Sequence, residues 1–306
     1  MDISDFEKRL IEYLKGKKFS SPEDLIQAIM RFIHIENQTP LEEFCGLSPY
    51  KMTRLLYFPF NSPDVVSFNL DVPPPLEAPF VKLFILLING IHNAGVLKAT
   101  AKGNLPRDFC RELEKHYLSE EELKFLSRDR FPIMREHDFL ELHKVRVIAE
   151  MSGYMKNYEK KFILTGRGKK LIKNGFTMDD YFHLFKTFTW KYNWAYFDFY
   201  GEVDEDIVQD SFLFTLYLLQ TFGDEFRPKE FYADKFVDAF LEAFPPEYVS
   251  DPEFREVIKD IYVHRALDRF AVGWGFAETT KEWTCFRSIH EFVKKTGFLD
   301  EFIKFK

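Results

Sequence analysis

The sequence predicts a mainly α fold: helical bundle regions interrupted by small β-hairpins that would serve as wings beside helix-turn-helix units. Three observations carry this expectation. Apolar residues recur at helical spacing, as in Ile3, Phe6, Leu10, Ile11 and Leu14. Helix-start signatures recur at Ser21-Pro22-Glu23-Asp24, Thr39-Pro40-Leu41-Glu42, Ser48-Pro49 and Thr177-Met178-Asp179-Asp180. Residues 145–173 run helix, glycine break, short hairpin and a second helix opened by Thr165-Gly166-Arg167-Gly168, the order in which a winged helix-turn-helix ends.

Taken in order, residues 1–75 read as an N-terminal helical region. A first helix spans 3–14, and a second begins at Ser21 and runs to about residue 35. LEEFCGLSPYKMTRLL reads as helix, tight turn at Gly46, helix; Lys51 and Arg54 would be its exposed basic residues, in a helix-turn-helix or in a plain helical corner. Residues 58–79 hold six prolines and no helical period, and read as a connector.

Residues 76–176 read as a winged-helix-like domain. An apolar helix over 80–93 closes at Gly95, a strand follows over 96–100, and Asn104 is the expected cap of a helix reaching Tyr117. Ser119-Glu120-Glu121-Glu122 opens a short helix, and 138–151 forms a longer one before the hairpin. Residues 177–306 read as a C-terminal helical domain with a degenerate second wing. Its helices are expected over 177–192, 207–222, 228–244 and 250–270, its strands over 273–279 and 289–294, and a last helix over 296–305. LKATAKGNLPRDF, FILTGRGKKLI and FVKKTGFLDEF each pass from strand to threonine to helix, which predicts more than one winged-helix-like unit.

Composition excludes several classes. The apolar runs are far shorter than the roughly 20 residues that cross a bilayer, so no membrane partner is expected. The start, MDISDFEKRL, is acidic and amphipathic, unlike a signal peptide. Cys45, Cys110 and Cys285 are too scattered for a disulfide framework or a metal pair, which fits a reduced, cytoplasmic compartment. The 36 phenylalanines are first of all core residues. Charge is unevenly spread: the net value of −7 divides into −3 over 1–75, +6 over 76–176 and −10 over 177–306.

The basic excess is concentrated. Between Lys144 and Lys173 stand nine basic residues and two acids. Lys156, Lys160 and Lys161 belong to the expected wing, and Arg167, Lys169, Lys170 and Lys173 to the helix after it. Phosphate is the ligand such side chains meet, helped by backbone amides at a helix start. These seven residues are the candidate nucleic-acid-binding site. The competing reading is a solvated basic face docked on the acidic C-terminal third.

Other constellations carry less chemistry. Glu136-His137-Asp138 with Glu141 and His143 reads as a polar helix entry, because no H-E-x-x-H spacing occurs and no cysteine joins it. Gly166-Arg167-Gly168 lacks the Walker spacing and the third glycine of a dinucleotide fingerprint, and no G-x-S-x-G is present. The aromatic block 188–200 reads as a buried helix end with its loop, beside acidic Glu202-Val203-Asp204-Glu205-Asp206. No catalytic residue, metal or cofactor is expected, and no enzyme.

Two segments carry a family resemblance. Gly46, Leu47, Ser48, Pro49, Met52, Leu55 and Leu56 make a G-L-S-P-x-x-M-x-x-L-L pattern, and Thr100, Gly103, Asn104, Leu105 and Pro106 a T-x-x-G-N-L-P junction. Together they resemble a module of uncharacterised prokaryotic proteins, some with an added SEC-C zinc motif and others similar to an Ri-plasmid open-reading-frame family. The resemblance spans about residues 40–175 and implies a winged-helix core; that family has no assigned activity to carry over. The cysteine-rich zinc motif is missing here, so the resemblance implies no metal. The sequence thus leads to a nucleic-acid-binding or regulatory protein acting through a basic wing. The alternative is a protein-interaction scaffold without nucleic-acid binding, serving a protein partner.

Overall fold

The computed structural model describes residues 3–120, 123, 133–196, 198, 200, 206–244, 251–283 and 289–306. Helices dominate, and the strands are short and antiparallel. α1 (Ile3–Leu14) and α2 (Pro22–Gln38) pair through Phe6, Tyr13 and Phe32. The Ser21 hydroxyl accepts from the Asp24 amide at the head of α2, and Pro22 occupies a position where its missing N–H costs nothing. The helix expected before Gly46 does not form. Residues 42–46 are turn, with Cys45 (φ 54°) and Gly46 (φ 94°) in the left-handed region, and the stretch after Pro40 is too short to recover the cost of helix nucleation. α3 (Pro49–Tyr57) starts at Ser48 as predicted. Lys51 and Arg54 are spent locally, Lys51 Nζ donating to the Lys306 carbonyl (2.5 Å) and Arg54 to that of Asn61 (2.7 Å). The segment is therefore a tight turn leading into a single helix. Inside the proline-rich connector lies a short strand, β1 (Val66–Phe68).

The next elements are α4 (Pro79–Ala94), β2 (Leu97–Lys98), α5 (Arg107–Tyr117), a 3-10 turn (Glu136–Asp138), α6 (Leu140–Met151), β3 (Met155–Tyr158) and β4 (Lys161–Leu164). The three strands form one antiparallel sheet in the order β2-β4-β3. Asn104 does not cap α5. Pro106 holds that position, and Asn104 closes a turn with Thr100 instead, accepting from its amide and donating to its hydroxyl. The short helix expected at 119–122 extends to Glu121 and Glu122, which lie outside the described residues. α7 (Gly166–Asn174) follows β4 under a Thr165 cap. Gly168 is required there, since a Cβ would come within 2.2 Å of the Tyr154 carbonyl oxygen.

α8 (Met178–Trp190) opens with a capping box between Thr177 and Asp180. Ser211 then divides the helix expected over 207–222 into α9 (Asp206–Asp210) and α10 (Phe212–Phe222). β5 (Arg227–Pro228), α11 (Lys229–Phe240) and a 3-10 turn (Leu241–Ala243) come next. α12 (Pro252–Tyr262) runs straight into a π-helical segment (Val263–Val272), followed by β6 (Ala277–Trp283) and β7 (Ile289–Lys295). The strand expected to begin at Gly273 starts later: residues 273–275 are the turn that ends the helix, with Gly275 at φ 83°.

From α10 onward the order repeats that of 79–164: helix, strand, helix, helix, hairpin, with the sheet again in the order first, third, second (β5-β7-β6). The likeness extends to single hydrogen bonds. In the first unit Tyr154 N–H donates to Ala149 O (2.9 Å), Thr165 N–H to Tyr154 O (3.0 Å) and Thr165 Oγ1 to Gly153 O (2.6 Å). In the second, Phe276 donates to Ala271 (2.8 Å), Thr296 N–H to Phe276 O (2.9 Å) and Thr296 Oγ1 to Gly275 O (2.6 Å). The Thr100 copy belongs to a different place, between β2 and α5. The last helix is shorter than expected: α13 (Gly297–Phe302) gives way to β8 (Ile303–Phe305), which pairs with β1 in the register Val66↔Phe305.

One apolar cluster runs from Leu47 to Ile303. Its centre is aromatic: Trp274 stacks on Phe80 at 4.2 Å, and the Tyr181 hydroxyl donates to the Trp274 carbonyl. Phe84, Phe162, Phe185, Phe188, Phe214 and Phe236 are all buried, each worth about 1.5–3 kcal/mol of transfer. Among the described residues no helix is long and apolar enough to cross a membrane.

Candidate nucleic-acid interface

The β2-β4-β3 sheet has two unlike faces, because side chains alternate along each strand and directly opposed residues share a face. Leu97 opposes Phe162, and Met155 opposes Leu164; this inner face carries the buried Met155, Phe162 and Leu164. On the outer face Lys98 opposes Lys161, Lys161 opposes Tyr158, and Lys156 opposes Ile163. A row of lysine, lysine and tyrosine therefore crosses the three strands. Like charges placed directly opposite cost free energy, and no described acid offsets Lys98 and Lys161. Tyr158 is 56% exposed, and Lys156 Nζ lies 5.2 Å from its ring centre.

The hairpin tip adds a second cost. Glu159 (φ 50°) and Lys160 (φ 57°) both adopt positive φ, as the central residues of a type I′ turn must. Asn-Gly suits that turn best. Two side chains with a Cβ are held there at roughly 1–2 kcal/mol each, and Lys160 is kept at the apex.

All seven residues picked out by the sequence, Lys156, Lys160, Lys161, Arg167, Lys169, Lys170 and Lys173, are exposed, and none forms an ion pair with any described residue. Arg167 rests over the Tyr154 ring at 5.5 Å. The first three lie on the hairpin and the other four on α7. Lys98 and Lys102 are likewise exposed and without an ion pair among the described residues. The sequence reading missed them because only pairing of β2 with β4 brings residue 98 beside residue 161.

Two basic residues of the same segment are withdrawn from this face. Arg146 reaches into the fold, where Glu136 is fully buried. Glu136 Oε1 takes Arg146 Nε at 2.7 Å and His143 Nδ1 at 2.6 Å, while Oε2 accepts the Leu105 amide at 2.5 Å. Arg146 also holds Glu150 at 2.6 Å. Burial by itself would raise the Glu136 carboxyl. The His143 hydrogen bond, the Arg146 charge and the Leu105 amide outweigh it and hold the carboxyl below its ordinary value. The polar helix entry read from Glu136-His137-Asp138 is thus an ionic clamp joining α6 to the start of α5. Lys144 turns into a cleft on the other side of α6. Glu141 is the one exposed residue of α6 before its last residue, so this helix presents no free basic surface.

In the aromatic block Phe188, Tyr192 and Trp194 are buried, whereas Trp190 (58%) and Tyr196 (43%) are exposed. The acidic run beside it, Glu202 to Glu205, lies outside the described residues. Comparison with known proteins gave no matching family model, no similar curated protein and no similar solved structure.

Proposed function

We propose that this chain is a winged-helix-like nucleic-acid-binding protein that holds the phosphate backbone through its β3–β4 wing, the adjoining β2 and α7. The observation carrying the proposal is the set of exposed lysines and arginine at 98, 102, 156, 160, 161, 167, 169, 170 and 173, none in an ion pair with a described residue although the chain as a whole is acidic. Opposed lysines and a strained lysine-bearing tip are retained against a local cost that a polyanion would offset. Binding of this kind is sequence-independent: α6, the helix that would enter a major groove, has its basic residues turned inward.

The test is fluorescence anisotropy with labelled 20-mer single-stranded and duplex DNA. With about five phosphate contacts on a duplex, affinity falls roughly 500-fold between 50 and 200 mM salt. Changing Lys160, Lys161, Lys169 and Lys170 together to Glu abolishes binding at the lower salt. No binding by the wild type at about 50 mM salt, or equal binding by the fourfold variant, would sink the proposal.

A second reading, a protein-interaction scaffold, draws on a different observation. Ile11 on α1, and Ile26 and Met30 one turn apart on α2, are all more than half exposed. A stoichiometric protein partner recovered equally by the wild type and the fourfold variant, without nucleic acid, would favour it.

A further inference from the structure

Behind α6, away from the wing, lies a cleft of about 290 Å³. It forms where α4 and α6 of the first unit meet the π-helical segment of the second and the chain following α8. Its position between two units and its mixture of apolar walls with a few polar groups are those of small-molecule sites. Phe80, Leu83, Val145 and Val272 contribute apolar wall; Lys144, Tyr192, His264 and Arg269 bring polar atoms to it.

The π-helix shapes one side. Hydrogen bonding from residue i to i+5 widens each turn, so positions four and five apart fall on one face. His264, Asp268 and Arg269 thereby line the same cleft. In an α-helix, residues 264 and 269 would diverge by about two fifths of a turn.

The polar groups are weighted toward binding an anion. Lys144 makes no ion pair with any described residue. Desolvation, opposed by Glu141 and aided by the nearby Arg269, brings its ammonium down to about 8. Tyr192 is only 4% exposed, yet its hydroxyl hydrogen-bonds to no described residue. Of the two acids lining the cleft, Asp268 is engaged by Lys229 at 2.5 Å, and Glu141 is exposed, close enough to Lys144 to favour its charged form. His264 is pushed down to about 4, chiefly by desolvation and then by Arg269, so at neutral pH it is an uncharged donor or acceptor. An ammonium with no ion pair and a hydroxyl with no hydrogen bond among the described residues, both lining a cleft with apolar walls, are groups that one anionic ligand would engage together.

We infer that this cleft is a binding site for a small organic carboxylate with an apolar body, its carboxylate held by Lys144 and the Tyr192 hydroxyl and its body packed on Phe80, Leu83, Val145 and Val272. The site is separate from the basic wing and does not depend on nucleic-acid binding.

The test uses phenylacetate and its uncharged isostere phenylacetamide, followed by calorimetry and saturation-transfer NMR on the full chain at pH 7. Phenylacetate binds at least about tenfold tighter than the amide, a difference of about 1.4 kcal/mol. Lys144→Met removes that preference, and Tyr192→Phe weakens phenylacetate by roughly ten- to a hundredfold, the worth of one hydrogen bond to a charged group. Leu83→Trp, which fills the cleft from its apolar wall without touching a polar group, abolishes binding of both compounds. Near-UV circular dichroism confirms that each variant keeps its aromatic core. Equal affinity for the two compounds, no binding of either at about 5 mM, or a charge preference that survives Lys144→Met would each overturn the inference.

Discussion

Replacing Glu136 by glutamine tests the ionic clamp at the start of α6. The wild-type carboxylate accepts from three directions: Arg146 Nε (2.7 Å), His143 Nδ1 (2.6 Å) and the Leu105 amide (2.5 Å). The substituted amide keeps one acceptor oxygen, and its NH2 must face either the Leu105 amide or the Arg146–His143 pair, donor against donor. Removing one partner of a buried ion pair costs about 3–5 kcal/mol. Arg146 still holds Glu150 at 2.6 Å, so the lower end, about 3 kcal/mol, is expected. Urea denaturation followed by tryptophan fluorescence measures it, the midpoint falling while the slope stays constant. The pH dependence has a fixed sign. The native carboxyl lies below its ordinary 4.5, so its stabilisation is complete above that value and is lost as pH falls through the native pKa. Glu136→Gln therefore removes part of the acid limb of the stability profile. A loss under about 1 kcal/mol at pH 7, or an unchanged acid limb, would refute the reasoning.

Two further outcomes follow from the same geometry. If Thr165 and Thr296 are equivalent junctions, Thr165→Ala and Thr296→Ala each cost at least about 0.5–1.5 kcal/mol by urea denaturation for the lost bond to Gly153 or Gly275, with Thr165 costing more because it also caps α7, and Ser restores most of it; a loss confined to one site would break the equivalence of the two units. Lys144→Met should stabilise the protein at pH 7, since the ammonium sits at about 8 against an ordinary 10.5. The unfolded chain keeps that proton longer, so wild-type stability climbs between those two pH values and the full penalty stands below the lower one. The gap corresponds to about 3 kcal/mol, reduced to roughly 1–3 by the water that reaches the cleft. Urea midpoints at pH 7, 8, 9 and 10 that rise in parallel for both proteins would contradict this.

Much of the local structure was legible because its causes are local. Ser21, Ser48, Thr165 and Thr177 cap helices with hydroxyls three residues from the amides they accept. The β3–β4 hairpin was legible from the glycine break before it and its polar tip. Errors arose where a distant partner or a neighbouring turn decided the outcome. The end of the chain has helical spacing, yet residues 303–305 become a strand because β1, more than 230 residues earlier, offers a free edge. Asn104 has the side chain of a cap, but its backbone N–H and carbonyl are tied to Thr100 in a tight turn and the helix starts only after Pro106. The run before Gly46 carries a start signal and no length in which to use it.

The candidate interface divides in the same way. By itself the sequence determined that the segment 144–173 is strongly basic, that it forms a helix, hairpin and helix, and that a strand–threonine–helix order recurs at Thr165 and Thr296. Charge belongs to the residues themselves, and a capping hydroxyl acts within three residues, so both are readable locally where the helix forms. Only the tertiary structure decided which charges are available. Burial of Glu136 draws Arg146 inward, packing of α6 against the second unit turns Lys144 into a cleft, and pairing of β2 with β4 adds Lys98 to the outer face. Desolvation, strand register and ion pairing depend on residues tens to hundreds of positions away, and those residues meet only once the chain has folded.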